Sequence, residues 1–138
     1  MFLFRRRVAG ASSRIRALCA SLGARLRDDS EARGLKLVKE WLSPEQLAQF
    51  EAAGYFDVVG CDSGKRYRIH YGSSMNIDEL DDQGRARVCY CFVTDIPLVP
   101  GDVVLAQKIA LETNERASLA VANRFTPRKR PPAMGLPF

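Results

Sequence analysis

The sequence predicts an α+β fold: N-terminal helices, a four-stranded antiparallel β-meander and a long C-terminal helix packed on the sheet. Apolar residues recur with a helical period up to about residue 53, with a period of two through residues 55–93, and then with a helical period again. Short connections rich in Gly, Ser and Asp join the period-two runs, and short connections require antiparallel neighbours. With 138 residues, 46% of them apolar, the chain has room for one domain with a core.

Residues 12–42 are predicted to form a helical arm. Its apolar residues follow the spacing i, i+3, i+4, i+7, i+11 of one helix face, and the other face is arginine and serine: Ile15, Leu18, Cys19, Leu22 and Leu26. The segment 28–34 either breaks this helix or forms its exposed middle. The pattern leaves open whether helix 12–27 docks on the domain or projects from it.

The next helix has the best-marked boundaries in the chain. Ser43 is placed at the N-cap, Pro44 at the first helical position and Gln46 where it completes a capping box. Gly54 is suited to the left-handed conformation that ends many helices. We therefore predict a helix over residues 44–53.

Four strands are predicted, at residues 55–60, 66–71, 76–80 and 87–93. Pairing Gly60 with Tyr67 separates apolar from polar side chains on the two faces of the first hairpin, and it sets Asp57 opposite His70. A helix is predicted from Val103 to Asn123. Its sheet-facing residues are expected to be Leu105, Ala106, Ile109, Ala110, Thr113, Ala117 and Ala120.

The predicted organisation is a basic segment (1–11), the helical arm (12–42), an α+β domain (43–123) and a basic, proline-rich tail (124–138) that we expect to be mobile. The expected core contains residues from each layer of the domain: Leu47, Phe50, Phe56, Val58, Ile69, Tyr90 and Ile109.

Three cysteines and the single histidine offer the ligand types of a zinc site: Cys61, His70, Cys89 and Cys91. The hairpin separates Cys61 from His70 by about four residues at roughly 3.3 Å each, and Cys89 and Cys91 stand about 6–7 Å apart along one strand. We therefore predict no metal, no cofactor and no catalytic residue, with Cys89 and Cys91 as small apolar residues of a buried strand. The acidic run 78–82 is interpreted as a solvated turn.

The runs YFDVVGCDSGKRYRIHYGSSMNIDEL (55–80) and GDVVLAQKIALETNE (101–115) resemble an uncharacterised family of small bacterial proteins. The resemblance covers about residues 41–123. It implies no activity and no site residues, and it favours a bacterial, cytosolic setting.

Charge is divided unevenly along the chain. Residues 1–27 hold seven arginines and no acid, residues 124–138 hold four basic residues, and residues 28–123 hold ten basic against sixteen acidic residues, a balance of −6. Basic ends that could neutralise phosphates or carboxylates therefore flank an acidic centre. The candidate contact residues are Arg5, Arg6, Arg7, Arg14, Arg16, Arg25, Arg124, Arg128, Lys129 and Arg130.

The function predicted from this pattern is a small non-enzymatic binding module whose basic ends contact a polyanion, a nucleic acid or nucleoprotein assembly, with little sequence specificity. A protein–protein adaptor that binds an acidic protein surface is the main alternative. A membrane-surface or targeting role for residues 1–27 and a thiol- or metal-dependent enzyme rank lower. We expect a cytoplasmic protein, and the sequence leaves homo-oligomerisation open.

Overall fold

The computed structural model describes residues 2–92, 95–127 and 129–130, with side chains from Ser13 onward. It confirms the α+β class. The elements in chain order are α1 (Phe2–Trp41), α2 (Pro44–Ala53), β1 (Tyr55–Val59), β2 (Arg66–His70), β3 (Ile77–Leu80), β4 (Ala86–Cys91), α3 (Pro100–Thr113), α4 (Glu115–Val121) and β5 (Asn123–Phe125).

The sheet is an antiparallel meander in the order β1-β2-β3-β4-β5. Its first four strands confirm the predicted ones to within a residue or two. The prediction of only four strands is wrong, because residues 123–125 pair with the outer edge of β4. Three residues are too few to show an alternating pattern, so this strand is defined by its pairing with β4 and leaves no local signal.

The predicted register of the first hairpin is wrong by two residues. Tyr67 lies opposite Val58, and Asp57 lies opposite Arg68. A slip by an even number of residues leaves every side chain on its face. The predicted division into an apolar and a polar face is therefore confirmed, although the cross-strand partners change.

The capping box predicted for α2 is confirmed. The hydroxyl of Ser43 accepts a hydrogen bond from the Gln46 backbone N–H at 3.2 Å, and the Gln46 side chain accepts one from the Ser43 N–H at 3.0 Å. Gly54 ends the helix with φ of 75°. Gln46 also donates to the Asp57 carbonyl at 3.0 Å, which links the start of α2 to β1.

The single helix predicted from Val103 to Asn123 is instead two helices. The chain breaks at Asn114, whose φ of −150° is not helical. In α3 the buried face contains Val104, Gln107 and Leu111, whereas Ile109 is 43% exposed. The predicted sheet-facing row is therefore wrong for most of its residues, although Leu105 is buried in the core, because α3 packs against α1 as well as against the strands.

Two glycines let α1 and α3 approach closely. A methyl group on Gly101 would overlap the backbone of Gly34 and Leu35, and one on Gly34 would meet the Val99 side chain at 3.1 Å. The helices are thus in backbone contact at Gly34 and Gly101, and the residues that follow on each helix enter the core.

The core lies between the helices and the apolar face of the sheet. Of the seven residues expected there, Phe50, Phe56, Val58, Ile69 and Tyr90 are buried, Leu47 is half-buried, and Ile109 is exposed. The ring of Phe50 lies edge-on to Phe56, with centroids 5.8 Å apart. Leu35 and Val38 of α1 and Leu42 just after it also contribute, whereas residues 13–29 of the same helix lie outside the core.

Truncating Phe50 should test this core. Because the side chain is fully buried, Phe50→Ala should lower the free energy of unfolding by about 3–5 kcal/mol. Ile109→Ala, which removes an exposed side chain, should lower it by less than about 1 kcal/mol. Urea denaturation of the two variants measures both values, and equal losses would contradict the assigned packing.

A second test concerns the contact between α1 and α3. Gly101→Ala should lower the free energy of unfolding by roughly 1–3 kcal/mol, because the added methyl group meets backbone that has little room to move. Gly23, on the same helix as Gly34, has no atom within 4 Å of the added methyl group. Gly23→Ala should therefore be neutral or stabilise the helix by up to about 1 kcal/mol. Thermal unfolding distinguishes the two.

Candidate functional site

The first candidate site is the part of α1 that extends beyond the domain. The helix is continuous from Phe2 to Trp41, so the acidic segment 28–34 is its middle and not a break. Residues 13–29, which we call the projecting segment, are almost entirely exposed. Helix 12–27 therefore projects from the domain instead of docking on it.

The projecting segment carries a row of large apolar side chains that the described part of the domain does not cover. Their exposed fractions are 63% for Ile15, 66% for Leu18, 54% for Leu22 and 65% for Leu26. At about 100° per residue these four side chains lie within one stripe roughly 80–100° wide. We call this row the apolar stripe.

Arginines border the apolar stripe on both sides. At about 100° per residue, Arg14 and Arg25 fall roughly 65–85° from the middle of the stripe on one side, and Arg16 and Arg27 fall roughly 115–135° from it on the other. All four are exposed. The opposite side of the helix holds small residues: Ser13, Ala17, Ala20 and Ala24. The arrangement suits a partner that is apolar at its centre and anionic along its two borders.

The other predicted contact residues are divided between two places. Arg5, Arg6 and Arg7 lie near the start of α1, and their side chains are outside the described ones. Arg124 and Lys129 are exposed, with the Arg124 guanidinium 5.7 Å from the centre of the Tyr90 ring. Arg128 lies outside the described residues. The ten predicted residues thus belong to a helix and to the C-terminal segment, and not to one element.

The contacts of Arg130 contradict the prediction that the basic tail is mobile and free to bind a partner. Its guanidinium donates to both carboxylate oxygens of Asp78 at 2.9 Å and to the Met75 carbonyl at 2.8 Å, and it lies 3.8 Å from the Cys89 sulfur. Nε2 of His70 lies 3.0 Å from the same carboxylate. We call this arrangement the Asp78 site.

Burial acts to raise the pKa of Asp78, but the hydrogen bonds from His70 and Arg130 and the charge of Arg130 outweigh it and hold the pKa at about 2. Asp78 is only 5% exposed. The carboxylate therefore stays ionised inside the structure because His70 and Arg130, the latter from residues far along the chain, lie against it.

The interpretation of residues 78–82 as a solvated turn is wrong for its first half. Asp78 and Glu79 are buried in β3, the middle strand of the sheet, and Glu79 pairs with Lys65 at 3.1 Å. Asp81 does lie in a turn, where its carboxylate accepts the backbone N–H groups of Gln83 and Arg85. Counting acids along the sequence does not reveal which of them a central strand will bury.

The predicted pairing of His70 with Asp57 is also corrected. Asp57 instead accepts two hydrogen bonds from Arg68, at 2.8 and 3.1 Å. Burial acts to raise the pKa of Asp57, and the hydrogen bonds from Arg68 and Gln49 reverse this and lower it. His70, two residues along β2, is thereby free to face Asp78.

Glu115 is a buried carboxylate that the sequence analysis missed. It accepts hydrogen bonds from the backbone N–H groups of Asp62 and Ser63 at 2.9 and 2.8 Å, from the Ser63 hydroxyl, and from the Tyr67 hydroxyl at 2.6 Å. A methyl group on Gly60 would overlap this carboxylate. With all these donors supplied by the first hairpin, the cluster is a structural link and has no room for a ligand.

The cysteines are dispersed. Cys89 is buried and donates to the Met75 carbonyl at 3.4 Å, Cys91 is half-buried, and Cys19 and Cys61 are exposed. Burial raises the pKa of the Cys89 thiol. Within the residues that the structure describes, no three His, Cys, Asp or Glu side chains form a group that could hold a metal ion.

An open cleft of about 480 Å³ lies beside the first hairpin turn. Its charged lining combines Lys65, Arg66 and Arg87 with Asp81 and Asp82. Since Lys65 is already paired with Glu79, the remaining charges balance. The cleft has no net preference for an anion or a cation.

Comparison of the sequence and the structure with family models, curated proteins and solved structures gives no significant match. The resemblance to small bacterial proteins over residues 41–123 stays a prediction. No helix in the described part of the chain is long and apolar enough to cross a membrane.

The Asp78 site should make the folded chain less stable as the pH falls below about 4. The pKa of Asp78 is about 2 in the folded chain against 3.8 for an ordinary aspartate. Below about pH 4 the unfolded chain binds a proton that the folded chain does not, so the free energy of unfolding should fall by about 2 kcal/mol between pH 4 and pH 2 from this residue alone. Denaturation of wild type and Asp78→Asn across this range should give curves that converge as the pH falls. Parallel curves would contradict the assignment.

Proposed function

We propose that the protein is a small non-enzymatic binding module whose projecting segment docks on an acidic protein surface, in a groove with an apolar floor. The observation that carries this proposal is the exposed apolar stripe between two rows of arginine. Stripe residues spaced i, i+3, i+7 and i+11 are the anchors of a helix that lies in a groove.

The apolar stripe favours a protein over a nucleic acid. Phosphates would engage the arginines and leave Ile15, Leu18, Leu22 and Leu26 in water. Full burial of one such side chain is worth about 1.5–3 kcal/mol. Because each is more than half exposed, a partner that covers all four has several kcal/mol of stabilisation to gain, which a phosphate backbone does not supply.

The width of the stripe favours a groove over a bilayer. Helices that lie in the membrane interface combine a broad apolar face with aromatic side chains. Here the stripe is narrow, and residues 13–29 contain no Trp, Tyr or Phe. Arginine pairs well with carboxylates because its planar guanidinium can donate two parallel hydrogen bonds, so acidic borders on the groove would complement the two arginine rows.

The projecting segment also separates the docking charges from the acidic domain. About 30 Å of helix lies between Arg14 and Leu35, the point where α1 enters the core. Charges this far apart are screened at physiological ionic strength, where the Debye length is about 8 Å. The acidic residues of the domain (43–123) therefore do not oppose the approach of an acidic partner to the Arg14 end of the segment, whereas Asp28 and Asp29 lie within one turn of Arg25.

The test places a photocrosslinking amino acid at Leu18 of the full-length protein in its native cells, with the same amino acid at Ala17 as the control. We expect crosslinks from position 18, to peptides rich in Asp or Glu, and far fewer from position 17. Replacing Arg14, Arg16 and Arg25 with glutamine should remove these crosslinks. Equal yields from the two positions, or no crosslinked protein, would contradict the proposal.

Matched charge variants separate the protein partner from its rivals. Leu18→Glu with Leu22→Glu changes the apolar stripe, and Ala17→Glu with Ala24→Glu adds the same charge on the opposite side of the helix. Crosslinking at Ile15 should fall at least tenfold in the first pair and less than about threefold in the second.

Labelled duplex and single-stranded DNA and vesicles containing phosphatidylglycerol are titrated in parallel. Tight binding to DNA that both pairs weaken equally would favour the nucleic-acid alternative, and tight vesicle binding would favour a membrane surface.

A further inference from the structure

The C-terminal segment forms a strap over the edge of the sheet. The strap begins with β5 (Asn123–Phe125) and continues through residues 126–127 and 129–130. It starts two residues after Val121, where α4 ends, pairs with β4, and then brings Arg130 back to Asp78. The sequence predicts a mobile tail over residues 124–138, which include all of the strap except Asn123.

Two kinds of contact account for most of the strap's attachment among the described residues. The first is main-chain pairing, with Phe125 opposite Cys89 and Asn123 opposite Cys91. The second is the guanidinium of Arg130 on Asp78 and Met75. The side chains of β5 are exposed, although for Phe125 the exposed fraction is only 43%, so apolar burial makes a modest contribution to holding the strap in place. The cost of opening the strap is therefore mainly the β4–β5 pairing and the contact of Arg130 with the buried Asp78 carboxylate.

Opening the strap would uncover two groups that need partners. The edge of β4 would present unpaired backbone N–H and C=O groups, which are a template for another strand. The buried carboxylate of Asp78 would lose Arg130 and keep the contact with His70. An extended segment with an arginine five residues beyond the strand would satisfy both.

We propose that this site accepts the strap of a second copy of the chain, so that two copies exchange straps and each receives Arg130 of the other. A second copy is the occupant because its strap reproduces the same main-chain pairing and the same guanidinium–carboxylate contact. Charge agrees, since residues 124–138 carry four basic residues and residues 28–123 have a balance of −6. Exchange between identical chains is a common route to dimers because no new interface is required.

A strap-exchanged dimer would carry two projecting segments. Two linked binding elements bind a multivalent partner with an avidity that can exceed the affinity of either by 10²–10⁴-fold. This inference does not rest on the proposed function, because the strap and the projecting segment are separate parts of the chain.

The decisive experiment mixes two complementary full-length variants. Arg130→Ala keeps Asp78 and lacks the guanidinium, and Asp78→Asn keeps Arg130 and lacks the carboxylate. In a mixed dimer one site contains both partners and the other contains neither. We expect each variant alone to elute mainly as a monomer of lowered Tm, and the mixture, incubated at high concentration, to form a heterodimer with part of the Tm restored.

Two controls keep the result interpretable. Arg124→Ala replaces Arg130→Ala in a parallel mixture, because it removes a strap arginine that does not touch Asp78, and it should give no heterodimer enrichment. Wild-type chains carrying light and heavy isotopes, mixed and examined by native mass spectrometry, test exchange without any variant. Mixtures that behave as the sum of their parts, together with wild-type chains that stay monomeric at all concentrations, would overturn the inference.

Discussion

Glu115 is the residue through which the helices and the sheet are held in register. It follows directly after the break at Asn114, and its carboxylate collects donors from the loop at Asp62 and Ser63 and from Tyr67 of β2. Burial acts to raise the pKa of Glu115, and the hydrogen bonds from Ser63 and Tyr67 outweigh it and lower the pKa. Because a buried charge without these donors would be strongly unfavourable, the first hairpin holds the start of α4 in place against the sheet.

Asp78 applies the same physical constraint on the other face of the sheet. Its donors come from His70 on β2 and from Arg130 near the end of the chain. The two carboxylates differ in which part of the chain supplies their hydrogen-bond donors. Glu115 is satisfied within the folded domain, whereas Asp78 depends on a short strap with exposed side chains. For that reason the proposed exchange between two copies involves the Asp78 site and not Glu115.

The projection of α1 from the domain explains how the basic and acidic parts of the chain stay apart. Arg14, Arg16 and Arg25 lie on a segment with no described contact to the acidic domain, so neither neutralises the other. An amphipathic helix is ordinarily stabilised by covering its apolar side. Here the apolar stripe is left exposed while the same helix, from Gly34 onward, packs against α3 and enters the core. The domain thus anchors one end of a helix whose other end is available for a partner.

The sequence alone determined those features that depend on neighbours along the chain. The capping box at Ser43, the first four strands, the two faces of the first hairpin and the apolar stripe all follow from spacing within a few residues. Only the tertiary structure decided the hairpin register, the break at Asn114, the fifth strand and the burial of Asp78, Glu79 and Glu115. Each of these depends on contacts between distant segments, such as Arg130 with Asp78 and Gly34 with Gly101. The local sequence pattern does not predict such pairs, because the interaction energy that favours them arises only when the two segments are in contact.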